Sequence, residues 1–489
     1  MNRIIKAVPD DEISKKLTKI VCTIGPASAN VDKIVAMIKS GMNVCRFNFS
    51  HGTHETHYET MKLVKEAMKQ VPGKHIALMI DTKGPEIRTG KLAQGDYIQL
   101  TAGQTVKITS DQSVLCTNEI ISITYEHLTS SVKPGNIILM ADGTISFKVI
   151  SVEKDYVVGE VMNSARLSNR KNVNLPGVKV NIPVIGEKDK KDILEFGVAH
   201  NMDYIAVSFV QSANDILSVK KLIGHNSNLK IISKIENVEG LINFDEILEV
   251  SDGIMIARGD LGMEIPSEKV FIAQKMMIYK CNIAGKPVIT ATQMLESMIV
   301  NPRPTRAEVT DVANAVLDGS DCVMLSGETA NGAFSVECVR LMSHICLEAE
   351  SCTDHMSVYL NLLKAIPTPV TTQEAIVRCS VGAIYSVNAS CIIALTETGK
   401  TASLLAKYKP NQLIIAICNN ENVAAGLALN RGVVPIMVDS FIDSDANINH
   451  AIEFAKKNNI VVEGSTVLAV HGMVSCAPGN TDMLKILNV

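Results

Sequence analysis

Apolar and polar positions along most of the chain follow a repeating order, a strand pattern and then a helix pattern. Short β-branched apolar runs predict the strands, and apolar residues at helical spacing predict the helices. Three such units precede residue 86 and five more follow residue 188, with strands predicted at 19–23, 43–47, 75–80, 204–207, 230–233, 253–257, 287–290 and 322–324. Eight strands with eight helices predict an α/β fold of the TIM (β/α)8 barrel type.

The order changes between residues 86 and 183, where short alternating strands with Gly and Asp turns predict a β-barrel lid domain inserted after strand three. Beyond a polar joint near residues 351–372, five further strands with helices predict a C-terminal α/β sheet domain. We therefore expect an N-terminal segment, a catalytic barrel in two parts, a lid and a C-terminal regulatory domain, at residues 1–17, 18–86 with 184–352, 87–183 and 353–489.

Composition narrows the class of protein. The chain has 489 residues, of which 46% are hydrophobic, and a formal net charge of -4. That charge argues against general nucleic-acid binding, and no apolar stretch approaches the ~18 residues of a membrane helix. The first ten residues lack a secretory apolar core, and the 12 cysteines include no C-x-x-C pair. The sequence thus predicts a cytoplasmic protein with reduced thiols that binds neither nucleic acid nor membranes.

Polar residues follow every predicted barrel strand, at positions that meet on the C-terminal rim where TIM-barrel active sites lie. Glu236 and Asp260 end strands five and six, with Lys234 and Arg258 beside them. Two carboxylates next to two cations favour a divalent metal site that also holds an anion such as phosphate. Ion pairing within the rim alone is the structural alternative. The other strand ends carry Arg46, Asn48, Ser50, Asp81, Thr82, Lys83, Ser208, Thr292, Gln293, Ser326 and Glu328.

Three further features suggest anion binding. Arg88 stands where the chain leaves the barrel for the lid, and an arginine at a hinge can close onto a bound anion. Gly259 and Gly262 flank Asp260 and allow backbone N–H groups to approach a ligand carboxylate, although both could equally be helix punctuation. Residues 396–401 (TETGKT) offer hydroxyls, a lysine and backbone N–H groups to a phosphate; helix capping by Thr398 is the alternative.

Eight segments of the chain resemble the pyruvate kinase family. They are CRFNFSHG (45–52), DTKGPEIRTG (81–90), NVNLPG (172–177), SKIEN (233–237), ARGDLG (257–262), ATQMLESM (291–298), PTRAEV (304–309) and MLSGETA (324–330). Their order and spacing match the family, and the resemblance covers nearly the whole chain. It implies transfer of the phosphoryl group of phosphoenolpyruvate to ADP, which gives pyruvate and ATP in the last step of glycolysis.

The resemblance also implies roles for individual residues. Mg²⁺ or Mn²⁺ would bind Glu236 and Asp260, and the enzyme would use K⁺ held by Asn48, Ser50, Asp81 and Thr82. The implied catalytic residues are Lys234, Thr292, Arg46, Ser326 and Glu328. Thr292, Ser326 and Glu328 would form the proton relay to the enolate, and which of them donates the proton is left open. Substrate would contact Arg46, Lys234, Gly259, Asp260 and Thr292, and the nucleotide would contact Asn48, His51, Arg88 and Lys171.

Regulatory features are implied in the same way. Family members that need K⁺ carry Glu at the position of Glu86, so K⁺ dependence is expected. Ala141-Asp142-Gly143 departs from the family's Asp-Asp-Gly, which leaves the lid contacts open. A homotetramer is expected, with a sugar-phosphate effector bound at Thr396, Glu397, Thr398, Gly399, Lys400 and Thr401. Residues 472–482 lack the Trp and Arg of the animal enzymes that fructose bisphosphate activates, which favours a monophosphorylated sugar or no effector.

Two other classes of function remain open at this point. A metal-dependent pyruvate aldolase or lyase would share the barrel and the metal–enolate site, but it would not need Arg88 at a lid hinge or Lys234 near a phosphoryl group. A non-catalytic sugar-phosphate sensor would use only the C-terminal domain and would have lost residues of the barrel site, whereas every matched position is present.

Overall fold

A closed barrel of eight parallel strands lies at the centre of the computed structural model, which describes residues 5–224, 227–473 and 479–489. Part of the predicted N-terminal segment (1–4) and part of the loop 472–482 (474–478) lie outside the described residues. A 3₁₀ turn at Asp10–Lys15 leads into β1 (Lys19–Thr23), α1 (Val31–Lys39), β2 (Val44–Asn48), α2 (His54–Lys69) and β3 (Ala77–Asp81).

The chain then leaves the barrel and forms a separate β domain. Its elements are β4 (Ile87–Arg88), β5 (Tyr97–Leu100), β6 (Thr105–Thr109), β7 (Ile120–Ser122), α3 (Leu128–Ser131), β8 (Ile137–Met140), β9 (Ile145–Val152), β10 (Tyr156–Val161), β11 (Ala165–Ser168) and β12 (Asn172–Asn174). Seven of these strands form one sheet in the order β4-β12-β8-β9-β10-β6-β7, and β5 pairs with β11. A bridge between Thr89 and Ile123 joins the first and last strands, so the sheet curls into the predicted lid barrel.

The second half of the barrel completes the ring, because β17 pairs with β1. Its strands are β13 (Tyr204–Val207), β14 (Lys230–Ile235), β15 (Gly253–Ala257), β16 (Val288–Ala291) and β17 (Cys322–Leu325). Its helices are α4 (Glu187–Lys191, continued by a π-helix at Asp192–Val198), α5 (Ala213–Ile223), α6 (Val238–Ile242), α7 (Phe244–Val250), α8 (Arg258–Glu264), α9 (Val270–Ala284), α10 (Arg306–Leu317), α11 (Gly327–Ala330) and α12 (Ser335–Cys352), with 3₁₀ turns at Ser267–Lys269 and Glu296–Ile299.

The C-terminal domain is a five-stranded sheet in the order β20-β19-β18-β21-β22, in which only the last pair is antiparallel. It contains α13 (His355–Ala365), α14 (Thr372–Val387), β18 (Cys391–Leu395), α15 (Lys400–Lys407), β19 (Leu413–Cys418), α16 (Glu421–Ala425), β20 (Val433–Met437), α17 (Ser444–Lys457), β21 (Thr466–His471) and β22 (Met483–Asn488). Within the described ranges, no helix has the length and apolar character needed to cross a membrane.

Local sequence explains how the barrel is built and how its two ends differ. The Asn30 side chain accepts hydrogen bonds from two backbone N–H groups at the start of α1, and Gly285 ends α9 in a left-handed conformation. The apolar barrel interior continues into the C-terminal domain, whose Ala428 and Leu429 pack against the barrel core. The bottom of the barrel is therefore filled, and the polar strand ends lie at the opposite rim, facing the lid.

Candidate active site

Lys234 is the centre of a buried charge network at the C-terminal rim. It lies on β14 and is only 8% exposed. Its Nζ atom donates hydrogen bonds to Ser208 Oγ at 2.7 Å and Asp81 Oδ1 at 3.0 Å, and lies 3.1 Å from Glu236 Oε1. Burial lowers the pKa of Lys234, but the Asp81 and Glu236 carboxylates outweigh burial and raise that pKa above its ordinary value. The lysine therefore brings a permanent positive charge to the rim.

Asp81 holds Arg46 as well as Lys234. Arg46 Nε donates to Asp81 Oδ2 at 2.6 Å, and Arg46 Nη1 donates to Thr23 Oγ1 at 2.7 Å. Burial opposes ionisation of Asp81, yet the neighbouring Arg46 and Lys234 cations hold its pKa below the ordinary value. One ionised carboxylate thus fixes two cations side by side, and paired cations of this kind can bind a phosphoryl group.

Glu236 and Asp260 form an acidic pair beside these cations. Glu236 is 2% exposed, and its Oε2 atom accepts a hydrogen bond from the Phe209 backbone N–H at 2.6 Å. Burial raises the pKa of Glu236 to about 7 against the lowering effect of Lys234, and the Asp260 carboxylate adds to the rise. Burial also raises the pKa of Asp260, with further contributions from the carboxylates of Glu86, Asp142 and Glu264. A buried acid and a half-buried acid therefore act on each other, and burial disfavours the charged form of both.

The donor set of this acidic pair suits a divalent cation. A bound cation would relieve the mutual repulsion of the two carboxylates, and Mg²⁺ prefers such oxygen ligands. In the portion of the chain that the structure describes, no group of three or more His, Cys, Asp or Glu is placed to share a metal ion. If Glu236 and Asp260 were the protein ligands of a cation, substrate and water would fill its other coordination positions, as is common for Mg²⁺.

Arg258 does not join the cluster that its sequence position suggested. Its guanidinium forms a two-pronged ion pair with Asp311 of α10, with Nη1–Oδ1 and Nη2–Oδ2 distances of 2.7 and 2.6 Å. It also donates to the Ala291 and Thr292 carbonyl oxygens at 3.2 and 2.8 Å. The hydrogen bonds of Arg258 therefore go to Asp311, Gln274, Met294 and the backbone at residues 291 and 292, and in the part of the chain that the structure describes none joins it to Glu236 or Asp260.

Thr292 follows β16 in an unusual backbone conformation. Its φ angle is 67° and that of Gln293 is 55°, a left-handed pair that a β-branched residue rarely adopts. The Thr292 hydroxyl accepts a hydrogen bond from the Gly259 N–H at 2.8 Å and donates to the Ala291 carbonyl at 2.6 Å. The structure therefore joins Thr292 to the loop that carries Asp260, but it commits the Gly259 N–H to Thr292.

Glu328 is buried and anchors two loops. Its carboxylate accepts hydrogen bonds from the backbone N–H groups of Ser326 at 2.7 Å and Leu295 at 3.1 Å. These contacts connect the end of β17 to Leu295, which lies in the loop after β16, three residues beyond Thr292. The predicted relay residues thus share one neighbourhood, in which Glu328 holds backbone groups.

A cleft of about 380 Å³ separates the barrel rim from the lid. Predicted residues from both sides line it, including Arg88 and Lys171 of the lid and Asp260 of the barrel. Arg88 Nε donates to Glu86 Oε2 at 2.9 Å, and Arg88 Nη1 donates to the Arg170 carbonyl at 3.1 Å. The lid thus brings two cations and the Asp142 carboxylate to the cleft, opposite the carboxylates of the barrel, and this mixture suits a phosphorylated ligand with a bound metal.

Two of the four predicted K⁺ ligands, Asn48 and Asp81, are joined by backbone pairing, and Ser50 and Thr82 follow them closely in the chain. Asn48 lies opposite Asp81 in the β2–β3 register, and Thr82 is the next residue. Asn48 Oδ1 accepts a hydrogen bond from the Ser50 N–H at 3.1 Å. Carboxylate, amide, hydroxyl and carbonyl oxygens are the donor types that suit a hard monovalent cation. His51 is exposed, and neither His51 nor any of the four predicted K⁺ ligands is among the residues that line the cleft.

Hydrogen bonds to residues outside the predicted effector loop bury part of it. Thr398 and Lys400 are exposed, but Thr401 is buried and its hydroxyl lies 2.8 Å from the Thr481 hydroxyl. The Gln373 amide donates to both threonines at 3.2 Å. A phosphate that approached this loop would therefore meet Lys400 and backbone N–H groups before it met Thr401.

Some contacts of the site could not be assigned from sequence. Thr23 and Asp311 lie far from the motifs in sequence, and Ser208 was recognised as a strand end without a role. The only available signal was that Thr23 ends β1 and Ser208 follows β13, both on the rim. No sequence pattern links Asp311 to Arg258, because 53 residues separate them.

Comparisons with known proteins agree over the whole chain. A family model described as "Pyruvate kinase, barrel domain" matches residues 15–339, and one described as "Pyruvate kinase, alpha/beta domain" matches residues 374–487. A pyruvate kinase of Eimeria tenella is 56% identical over 490 residues, which cover 100% of this chain and 92% of that protein. A cytosolic isozyme of Glycine max is 48% identical, with 93% of each chain covered.

Solved structures give the same result. A pyruvate kinase from Cryptosporidium parvum superposes with a TM-score of 0.95 at 49% identity and covers 100% of this chain and 99% of its own. A structure of Cryptosporidium parvum pyruvate kinase in complex with ADP has a TM-score of 0.89 at 50% identity, with 97% of this chain and 96% of that chain covered.

Proposed function

This chain belongs to the pyruvate kinase family and is a phosphotransferase, and we propose that phosphoenolpyruvate and ADP react at the barrel rim to give pyruvate and ATP. The observation that carries this assignment of the site is the position of Lys234. Its ammonium group is fixed between the Asp81 and Glu236 carboxylates, and Asn237, three residues further along the chain, lines the cleft between barrel and lid. A cation held in this way can stabilise charge on a phosphoryl group without reorganising.

Phosphoryl transfer depends mainly on positioning and on neutralising charge. Lys234 and Arg46 are fixed by Asp81, so both cations can face the oxygens of the phosphoryl group as it moves between donor and acceptor. Arg88 and Lys171 line the lid side of the cleft, where they would hold the phosphates of the nucleotide. Closure of the lid over this cleft would exclude water and favour transfer to ADP over hydrolysis.

Glu236 and Asp260 would hold the divalent cation, Mg²⁺ or Mn²⁺, which when bound supplies Lewis-acid stabilisation of the enolate oxygen.

The enolate left after phosphoryl transfer needs a proton on its methylene carbon. We assign this step to the Thr292 hydroxyl, which would leave its hydrogen bond to the Ala291 carbonyl to give that proton and would take one from water, while the Gly259 N–H orients the Thr292 oxygen. Glu328 supports this step by holding the Ser326 and Leu295 loops in place.

A lactate dehydrogenase-coupled assay tests the proposal. Wild-type protein with phosphoenolpyruvate, Mg²⁺ and K⁺ should produce pyruvate only when ADP is added. A pyruvate lyase or aldolase would form or consume pyruvate without ADP, and a sensor without catalytic function would form none. Either outcome would contradict the assignment.

We also propose that K⁺ binds Asn48, Ser50, Asp81 and Thr82. The support is their proximity along β2 and β3, together with the lowered pKa of Asp81, which keeps that ligand ionised. Glu86 lies at the cleft, where its carboxylate pairs with Arg88 at 2.8 Å and acts on Asp260.

The K⁺ proposal predicts that activity is low in buffer without K⁺ and rises when K⁺ is added. Glu86→Lys should relax that requirement, because the new ammonium group supplies positive charge in place of the ion. Initial rates measured over a K⁺ titration check this, with Glu119→Lys on the exposed lid surface as the control. Full wild-type activity without any monovalent cation would refute the site.

For the C-terminal domain we propose that residues 396–401 bind the phosphate of a monophosphorylated sugar. Lys400 is exposed at the start of α15, where backbone N–H groups are free to meet an anion. The C-terminal domain contributes no residue to the rim, so an effector bound there would act on catalysis through the contact between this domain and the bottom of the barrel. Coupling of ~1–3 kcal/mol between the two sites is typical of allostery.

Lys400→Ala should abolish the response to the effector and leave basal turnover intact, since Lys400 lies far from the rim. Calorimetric titration with glucose 6-phosphate, ribose 5-phosphate and fructose 1,6-bisphosphate gives the measurement, with Lys457→Ala on α17 as the matched control. Thr401→Ala is a less clean variant, because Thr401 also supports Thr481. Tight binding of the bisphosphate alone would show that the preference for a monophosphate is wrong.

Two further expectations complete the proposal. We propose that the protein works as a homotetramer, since a regulatory domain can couple to distant active sites only through a shared assembly or through its own barrel. Light scattering at micromolar concentration distinguishes the tetramer from a monomer.

We further propose a cytoplasmic location, which is supported by the resemblance to plant cytosolic isozymes.

A further inference from the structure

Arg258 and Asp311 form an ion pair that the mechanism above does not use. Arg258 is 11% exposed and Asp311 35%, and the guanidinium and carboxylate meet through two parallel hydrogen bonds. Such paired bonds fix the orientation of both groups as well as their distance. Gln274 of α9 accepts a further bond from Arg258 Nη1 at 3.3 Å. The guanidinium is therefore held in a single orientation.

The remaining donors of Arg258 are directed at the backbone of the loop that carries Thr292. Nε donates to the Ala291 carbonyl and Nη2 donates to the Thr292 carbonyl. Carbonyls on both sides of the Thr292 N–Cα–C unit are thus bound by one rigid cation. This matters because Thr292 and Gln293 both adopt left-handed φ angles, a conformation that is strained for residues other than glycine. The loop needs an outside constraint to stay in this conformation.

Helix α10 supplies a second constraint on the same loop. Glu308, one helical turn before Asp311, accepts hydrogen bonds from the Ser297 N–H at 2.7 Å and from the Ser297 hydroxyl at 2.5 Å. The capping box of Thr305 and Glu308 fixes the start of α10. One face of α10 therefore holds both ends of the loop, with Asp311 acting through Arg258 at residue 292 and Glu308 acting directly at residue 297.

We propose that the Arg258–Asp311 pair is a positioning unit for proton transfer by Thr292. It holds the Thr292 peptide in its left-handed conformation, in which the Thr292 hydroxyl contacts the Gly259 N–H of the loop that carries Asp260. The proposal rests on the proton-transfer role assigned to Thr292 above. In the reaction, the C–H bond of the pyruvate methyl group breaks, its proton leaves by way of the Thr292 hydroxyl to water, and the electron pair stays on the enolate; the reverse step makes pyruvate.

The test follows exchange of pyruvate methyl protons with D₂O by NMR, with Mg²⁺, K⁺ and inorganic phosphate to fill the phosphoryl position. Arg258→Lys and Asp311→Asn should each slow exchange by about 10-fold or more, since small misplacement of a catalytic group has effects of this size. The Michaelis constant for phosphoenolpyruvate and the Mn²⁺ affinity should change much less. The double variant should be no slower than the worse single variant, because the two residues act as one unit.

Controls separate this inference from the proposed function. Asp245→Asn removes the exposed Lys280–Asp245 pair on the neighbouring helices and should leave exchange unchanged. Thr292→Val should slow exchange at least as much as the pair variants; if it does not, the role of Thr292 and the inference both fail, while ATP formation still tests the kinase function separately. Asp311→Asn preserves side-chain shape, so folding can be verified by its melting temperature. Normal exchange in both pair variants, or effects that multiply in the double variant, would overturn the proposal.

Discussion

Lys234→Met should lower turnover by about 10²–10³-fold, the usual cost of removing one electrostatic group that acts on the transition state. Lys234 is the only group that contacts Asp81, Ser208 and Glu236 together in the part of the chain that the structure describes. Its charge matters most when the phosphoryl group lies between donor and acceptor oxygens. The Michaelis constant for phosphoenolpyruvate should therefore change much less than turnover. Steady-state kinetics in the coupled assay measure both parameters.

Lys230→Met is the matched control for that experiment. Lys230 lies at the other end of the same strand, where its ammonium group contacts the Gly426 carbonyl and not the rim. Its loss should leave the chemical step intact. If Lys234→Met instead retains near-normal turnover with a raised Michaelis constant, Lys234 serves in substrate binding and the electrostatic role is wrong.

Glu236→Gln and Asp260→Asn should each weaken Mn²⁺ binding by about 100-fold or more, because changes to outer-sphere partners alone already cost ~10–100-fold. Each substitution removes half of the carboxylate pair that burial makes costly to ionise without a cation. Turnover should fall in parallel, with the fold retained. Electron paramagnetic resonance of free Mn²⁺ during a titration gives the affinity directly.

Glu239→Gln provides the comparison for the metal site. Glu239 lines the same cleft, so its loss removes one negative charge from the region without removing either predicted ligand. A small effect at Glu239 and a large one at Glu236 would separate ligation from general electrostatic attraction. Unchanged Mn²⁺ affinity in both the Glu236 and Asp260 variants would exclude this metal site.

The sequence was sufficient to predict the barrel, the inserted lid and the C-terminal sheet, because each barrel strand is an apolar run that a polar residue ends. The β14 strand illustrates why: Ile231, Ile232 and Ile235 pack into the core, while Lys234 and Glu236 meet at the rim. Strands such as β7 and β12 escaped prediction. They contain three residues each, too few to show a period of two.

The site was predictable where chemistry follows from strand ends and unpredictable where it depends on side-chain direction. Glu236 and Asp260 meet because adjacent parallel strands end at one rim. Arg258 also follows directly after a barrel strand, yet its long side chain pairs with Asp311, which lies 53 residues further along the chain. The left-handed conformation of Thr292 was equally hidden, because threonine gives no local signal for it.

The most direct test of the central claim is to follow the wild-type protein by ³¹P NMR with phosphoenolpyruvate, ADP, Mg²⁺ and K⁺. The phosphoenolpyruvate signal should fall as the γ-phosphate signal of ATP rises in equal amount, with no change when ADP is left out. Formation of inorganic phosphate in place of ATP, or the absence of any conversion, would contradict the assignment of this chain as a phosphotransferase acting between these two substrates.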